Sequence, residues 1–83
     1  MTAPEGSGWT SDATLDATGL LCPLPVLKAR KRLLSMAPGE RLLLVASDPM
    51  AAIDVPHFCA ESGQRLIAAE AGDGAQRFLI EKA

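Results

Sequence analysis

Two prolines with one residue between them, Pro23 and Pro25, are the feature that most constrains how this chain can fold. They stand directly before a stretch with helical spacing of its apolar residues, and proline is tolerated in a helix only in the first turn. The pair therefore predicts where that helix begins, with Pro23 in the first helical position and Cys22 as the N-cap. Just upstream, Gly19 closes a short strand that we expect over residues 13–17.

Two helices are predicted. The first runs from Pro23 to Met36 and is ended by the Ala-Pro-Gly turn at 37–39. The second ends before Gly63, with Asp54 expected to cap its regular part and Pro56 expected in its first turn. The apolar face of the first helix comprises Val26, Leu27, Ala29, Leu33, Leu34 and Met36.

Three further strands follow from the apolar patterns. The unbroken apolar run Leu42–Val45 predicts a buried strand at the centre of the sheet. Residues 65–70 and 76–81 read as two strands of a hairpin, separated by Gly72-Asp73-Gly74. The element order is then β-α-β-α-β-β. Because two helices are too few to cover both faces of a four-stranded sheet, we expect an α+β fold, a two-layer sandwich with a mixed sheet and both helices on one face.

Length and composition restrict the chain to one small domain, expected over 12–83 behind a flexible tail at 1–11. Trp9 lies in that tail, where a lone aromatic residue more often has no role than docks on the domain surface. The net charge of −2 indicates neither nucleic-acid nor membrane binding. With no membrane-spanning run, no signal-peptide pattern and only two cysteines, we expect a cytoplasmic protein with free thiols.

Cys22 is the residue with the clearest chemical role. A helix N-terminus supplies partial positive charge and N–H donors that favour the nucleophilic thiolate. With two prolines removing donors, the N–H of Leu24 is expected to bond to the sulfur, and the stiff turn to project it. Such a thiol can hold a sulfane sulfur as a persulfide and pass it to another thiolate. The alternative is that Cys22 is an unreactive cap.

Other candidate groups carry weaker signals. His57, the sole histidine, is expected to be structural or solvent-facing rather than a base, so no Cys-His-Asp set is predicted. Cys59 lies in an apolar helix and is expected to behave as a small buried hydrophobe. Cys22, Cys59 and His57 lack metal-ligand spacing, so no metal site is predicted.

The first helix also holds half of the lysine and arginine residues of the chain. They form either a solvated face or a docking patch for an acidic partner or tRNA phosphates. Asp16, Asp48 and Asp54 are expected as caps and turn residues, and the last two are acidic candidates for partner docking. The basic candidates for docking are Lys28, Arg30, Lys31 and Arg32.

The run from Leu15 to Pro25 resembles the N-terminal signature of the TusA family, also called SirA-like, with its Cys-Pro-x-Pro core. The second block of the family is similar to Asp48-Pro49, Asp54-Val55-Pro56 and Phe58-Cys59, and the likeness covers about residues 13–82. It implies the two-layer sandwich and a small sulfur carrier without metal or organic cofactor. On the matching positions, Cys22 carries the sulfur, and the site is shaped by Gly19, Pro23, Leu24 and Pro25.

The resemblance also implies partners. A cysteine desulfurase or rhodanese-type protein donates the sulfur, and an acceptor protein takes it toward 2-thiouridine in tRNA, the molybdenum cofactor or sulfur oxidation. A weak tRNA contact belongs to the same picture. Leu21 and Leu24 are apolar where charged residues are common in the family, and Ile53 stands where a basic residue is often seen. These differences indicate a partner-specific docking surface.

Three function classes follow. The first is a sulfurtransferase-type carrier with Cys22 as the persulfide site. The second is a non-catalytic regulatory or binding module of the same fold, in which Cys22 can be replaced without loss of function. The third is a thiol redox protein, which requires Cys59 to be exposed and close to Cys22.

Overall fold

The computed structural model describes residues 9–72 and 74–83, and these form a sheet with two helices. The strands are β1 (Ala13–Ala17), β2 (Arg41–Ala46), β3 (Arg65–Ala71) and β4 (Gln76–Glu81), and the helices are α1 (Leu24–Leu34) and α2 (Ala51–Ser62). The predicted order of elements is confirmed. The β3–β4 turn lies where the sequence places it, although Asp73 falls outside the described residues.

The sheet has the strand order β1-β2-β4-β3. Strand β1 is parallel to β2, and β4 runs antiparallel to both of its neighbours, so the sheet is mixed as predicted. Strand β2 is internal because its apolar run supplies both faces: Leu42 and Leu44 join the core under the helices, whereas Leu43 pairs with Leu79 on the other face. The register of β3 shifts between Leu66 and Ala68, which marks a bulge in this strand.

One apolar cluster joins the two helices to the sheet. Alternate residues of β2 and β4 point toward the helices, as the two-residue period of a strand requires. Both helices contribute to the same cluster, which confirms the two-layer α+β sandwich. Its fully buried members include Ala29, Leu33, Leu42, Leu44, Val55 and Ile80. No helix in the described part of the chain is long and apolar enough to cross a bilayer.

Trp9 docks on the domain, which is the less favoured of the two sequence alternatives. The guanidinium carbon of Arg77 lies 5.9 Å from the centre of its ring, within the range of a cation–π contact. Arg77 shares a strand face with Leu79, so Trp9 lies against the sheet face opposite the helices. Most of the tail predicted at 1–11 lies outside the described residues.

Both helices begin at residues other than those predicted. Helix α1 starts at Leu24 with Pro23 in the N-cap position, because the Leu24 N–H closes a turn on the carbonyl of Leu21 at 2.9 Å. Helix α2 starts at Ala51, where the backbone N–H donates to the carbonyl of Asp48. The cap and first-turn predictions for α2 were therefore wrong.

Because α2 starts early, Asp54 lies in its first turn rather than at its cap, and Pro56 lies inside the helix. The end of α2 is as predicted. Gly63 takes a left-handed conformation with φ of 80°, which costs a residue without a side chain little.

Candidate functional site

Cys22 lies in the loop that follows β1, and it is exposed to solvent. Because β1 and β2 are parallel neighbours, their carboxyl ends meet at one edge of the sheet, and so do the loops after them. Two hydrogen bonds join these loops. The Gly19 N–H donates to Oγ of Ser47 at 2.8 Å, and the Cys22 N–H donates to Oδ2 of Asp48 at 2.7 Å.

Gly19 shapes the path of the chain toward Cys22. Its φ is +84°, a left-handed conformation that residues with a side chain rarely adopt. Just before it, Asp16 accepts hydrogen bonds from both the N–H and the hydroxyl of Thr18, which makes Asp16 the turn residue that was predicted. These bonds lower the pKa of Asp16.

Asp48 anchors the Cys22 loop to the start of α2. Oδ2 of Asp48 accepts the Cys22 N–H, and Oδ1 accepts the Met50 N–H at 3.0 Å. Both bonds favour the ionised carboxylate, so they lower the pKa of Asp48, the Cys22 bond having the larger effect. Gln76, from β4, donates to the carbonyl of Asp48 at 3.0 Å. Asp48 is thus the predicted turn residue and also holds the backbone of the candidate nucleophile.

The Cys22 thiol donates a hydrogen bond to Oδ2 of Asp54, in the first turn of α2. This bond is the main cause that raises the pKa of Cys22 to about 11, followed by desolvation and by the negative charges of Asp54 and Asp48. The prediction that the helix start favours the thiolate is therefore wrong for the free protein.

The prediction failed because the N–H group expected to stabilise the thiolate is bonded elsewhere. The Leu24 N–H donates to the carbonyl of Leu21 instead of the sulfur. The carboxylates near Cys22, those of Asp54 and Asp48, favour the neutral thiol.

A groove of about 340 Å³ runs from Cys22 between α1 and α2. Its lining side chains include Val26, Leu27 and Arg30 from α1 and Asp54, His57 and Glu61 from α2. His57 is exposed and its Nε2 lies 3.3 Å from Oε2 of Glu61, one helical turn away. His57 is thus solvent-facing, and it lies against Glu61 rather than the thiol.

Several exposed apolar side chains lie close to Cys22 or Asp54 along the chain, and one of them lines the groove. Leu21 and Leu24 flank Cys22 in the turn, and Leu27 lines the groove one turn further along α1. Met50 and Ile53 lie at the start of α2, shortly before Asp54 in the chain. Helical periodicity assigned Leu27 and Leu34 to the apolar face of α1, which was wrong, since both side chains are exposed. We call this set the apolar rim: Leu21, Leu24, Leu27, Met50 and Ile53.

The structure divides the predicted basic patch. Of the four cations, Arg30 lines the groove that contains Cys22. The other three line a separate depression beside β1, together with Leu15 and Ser35. Lys28, Lys31 and Arg32 therefore do not share a single surface with the thiol.

Cys59 is a core residue, as predicted. It is 3% exposed and belongs to the apolar cluster, and burial raises its pKa to about 11. The thiol redox alternative required Cys59 to be exposed, so the burial of Cys59 counts against that alternative. Within residues 9–72 and 74–83 no three His, Cys, Asp or Glu side chains cluster as metal ligands would.

Sequence reasoning missed the residues that hold the site from outside the motif. Ser47, Met50 and Gln76 were not singled out, although each contributes a contact or a rim side chain. A usable signal existed for Ser47, because it directly follows the parallel strand beside β1. For Gln76 no local pattern in the sequence points to the site.

The family model described as Sulfurtransferase TusA matches residues 13–82. The chain belongs to the TusA family. This confirms the resemblance, and family membership supports a sulfur-carrier role exercised with partner proteins. The fold is similar to the crystal structure of a SirA-like protein from Desulfitobacterium hafniense, with a TM-score of 0.73 and 23% identity over 83% of this chain and 95% of that one. At that identity the likeness shows the shared fold.

Proposed function

We propose that this TusA-family protein accepts a sulfane sulfur as a persulfide on Cys22 and relays it to an acceptor protein. The observation that carries the proposal is the placement of Cys22, exposed at the end of an open groove and held by its backbone N–H on Asp48. The other cysteine of the chain, Cys59, is buried and unsuited to exchange.

The loading step needs no oxidant. Sγ of Cys22 attacks the outer sulfur of a donor persulfide, R–S–SH, and a new sulfur–sulfur bond forms on Cys22. The donor's own sulfur–sulfur bond breaks, and its electron pair leaves on the donor sulfur, which ends with the thiol proton of Cys22. The products are R–SH and Cys22–S–SH, and delivery to the acceptor is the same exchange in the opposite direction.

Among the described residues around Cys22, none forms an arrangement that would mobilise sulfur from a small molecule. Cys22 contacts carboxylates, and His57 is paired with Glu61. The sulfur must therefore come from a partner, for which a cysteine desulfurase or rhodanese-type protein is the candidate class. The apolar rim offers the contact surface, because exposed apolar groups around a central reactive group favour association.

The destination of the sulfur is a narrower proposal. The pathways implied by the family are tRNA 2-thiolation, molybdenum-cofactor synthesis and sulfur oxidation. Arg30 shares the groove with Cys22, so a phosphate-bearing acceptor such as tRNA would meet a single cation there. A protein acceptor fits the rim better. Free thiols at Cys22 and Cys59 suit the reducing cytoplasm.

The test is intact-mass measurement after incubation with a cysteine desulfurase, cysteine and pyridoxal phosphate. Wild type and Cys59→Ala should gain about 32 Da, one sulfur, that a reductant removes, and Cys22→Ser should gain none. A mass gain that persists in Cys22→Ser would show that a residue other than Cys22 carries the sulfur.

The binding-module alternative has one observation in its favour, namely the neutral thiol that Asp54 stabilises. It predicts no gain with any donor, although the thiol still alkylates at high pH. It also predicts that Cys22→Ser keeps the partner interactions of wild type.

A further inference from the structure

Two carboxylates contact Cys22, and neither has a cationic partner in the described part of the chain. Asp48 accepts the Cys22 backbone N–H and Asp54 accepts the thiol. The ion pairs of the described residues use other acids, namely Glu61, Glu70 and Glu81. The site is thus locally acidic and has unused capacity for a positive charge.

The charged groups around Cys22 come from every element that borders it. The loop before α2 supplies Asp48, α2 supplies Asp54, His57 and Glu61, and α1 supplies Arg30. Arg30 makes no ion pair with Asp54 or Asp48, and His57 pairs with Glu61. The negative charge nearest the sulfur is therefore uncompensated within the described residues.

This arrangement keeps the thiol proton in place. The Asp54 hydrogen bond needs a protonated sulfur, and a thiolate would stand beside two negative charges. Sulfur exchange needs the opposite state, because the thiolate is the nucleophile. A cation placed against Asp54 would compete with the Cys22 thiol for the carboxylate. It would weaken the hydrogen bond that holds the thiol proton and would stabilise the thiolate.

We propose that the partner protein that exchanges sulfur with Cys22 presents a lysine or arginine side chain to Asp54, and that docking of this cation releases the thiol for attack. This inference rests on the proposed function and names the chemistry of the partner: an apolar surface with a cation at its centre. The residues of the apolar rim lie close to Cys22 and Asp54 along the chain, and exclusion of water by apolar groups at a docked interface strengthens an ion pair. Sulfur exchange is then confined to proteins that carry the matching charge.

The test uses two methanethiosulfonate reagents of equal reactivity type and opposite charge, a trimethylammonium-ethyl and a sulfonato-ethyl derivative. The Cys22 thiolate attacks the sulfenyl sulfur, a disulfide forms, methanesulfinate leaves with the electron pair, and the thiol proton passes to buffer. The cationic-to-anionic rate ratio is divided by that of N-acetylcysteine amide, and Cys59→Ala serves as the background so that only Cys22 reacts.

We expect a normalised ratio of about tenfold or more, from the two carboxylates a few ångströms from the sulfur. The ratio should shrink toward one in 0.5 M salt, which screens exposed charges over roughly 4 Å. Asp54→Asn should reduce it at least about threefold, whereas Glu70→Gln, which removes the same charge on β3, should leave it unchanged.

A ratio near one in the parent protein would overturn the proposal, and so would a high ratio that Asp54→Asn does not lower. If Asp54→Asn fails to fold by circular dichroism, the salt dependence of the parent ratio decides, and a ratio insensitive to salt would count against the proposal. No sulfur donor is present in this assay. Failure of persulfide loading is therefore a separate result from failure of the charge preference.

Discussion

Sγ of Cys22 donates a hydrogen bond to Oδ2 of Asp54, although the two residues are 32 positions apart in the chain. The bond joins the loop before α1 to the first turn of α2, so the thiol and its acceptor are brought together by helix packing. With a pKa of about 11 for Cys22, on the order of one thiol in ten thousand is ionised at pH 7. The free protein therefore presents Cys22 mainly as the protonated thiol, which is a poor nucleophile.

The first prediction concerns the pH dependence of alkylation. The rate of iodoacetamide reaction at Cys22 should rise with pH to a midpoint near 11, because only the thiolate reacts. Asp54→Asn removes the largest cause of the raised pKa, so its midpoint should move down toward the ordinary value of about 8.5. At pH 7.5 the variant should then react roughly 10- to 100-fold faster than wild type.

Mass spectrometry of quenched time points in the Cys59→Ala background measures these rates. Glu70→Gln is the charge-matched control and should keep the midpoint of the parent. Equal midpoints for Asp54→Asn and the parent would mean that the carboxylate does not hold the thiol proton.

The second prediction concerns the apolar rim. Leu21 and Ile53 are 71% and 63% exposed, so Leu21→Ser and Ile53→Ser should change the free energy of unfolding by less than about 0.5 kcal/mol. Both should slow sulfur loading from a protein donor by about tenfold, because they remove contact area next to Cys22.

The matched control for the rim is Leu34→Ser. Leu34 is 74% exposed on the same helix as Leu24, but at the opposite end from Cys22. It should load at the wild-type rate. Equal slowing by all three substitutions, measured as initial rates of mass gain, would show that general surface hydrophobicity matters and the rim does not.

The third prediction concerns stability at alkaline pH. Burial raises the pKa of Cys59 to about 11, so the folded protein binds this proton more tightly than the unfolded chain does. The stabilising effect is complete below about pH 8.5 and is lost as the pH rises toward 11. Urea denaturation should therefore show a falling free energy of unfolding over this range.

Cys59→Ala should flatten that decline and should cost about 1–2 kcal/mol at neutral pH, because it removes a buried sulfur from the core. Cys22→Ser is the comparison variant. It removes the part of the pH dependence that comes from the exposed thiol, and it removes no side chain from the core. A decline of unchanged slope in both variants would place the alkaline sensitivity elsewhere in the chain.

Local patterns in the sequence predicted the elements well because their causes are local. The run Leu42–Val45 has apolar residues on both faces, which only an internal strand buries, and β2 is internal. Gly63 ends α2 with the positive φ that favours glycine. The start of α1 was off by one residue and that of α2 by more, because the turns before them take up the first N–H groups.

What the sequence by itself determined is the identity of the candidate nucleophile, the fold class and the family, since these depend on spacing and on a contiguous motif around Cys22. What only the tertiary structure decided is the state of that thiol. Spacing cannot report that Asp54 reaches the sulfur, that Arg30 parts from the other cations, or that Leu27 faces solvent. Each depends on how α2 packs beside α1 across the sheet, and a pKa is set by the groups that this packing brings within a few ångströms.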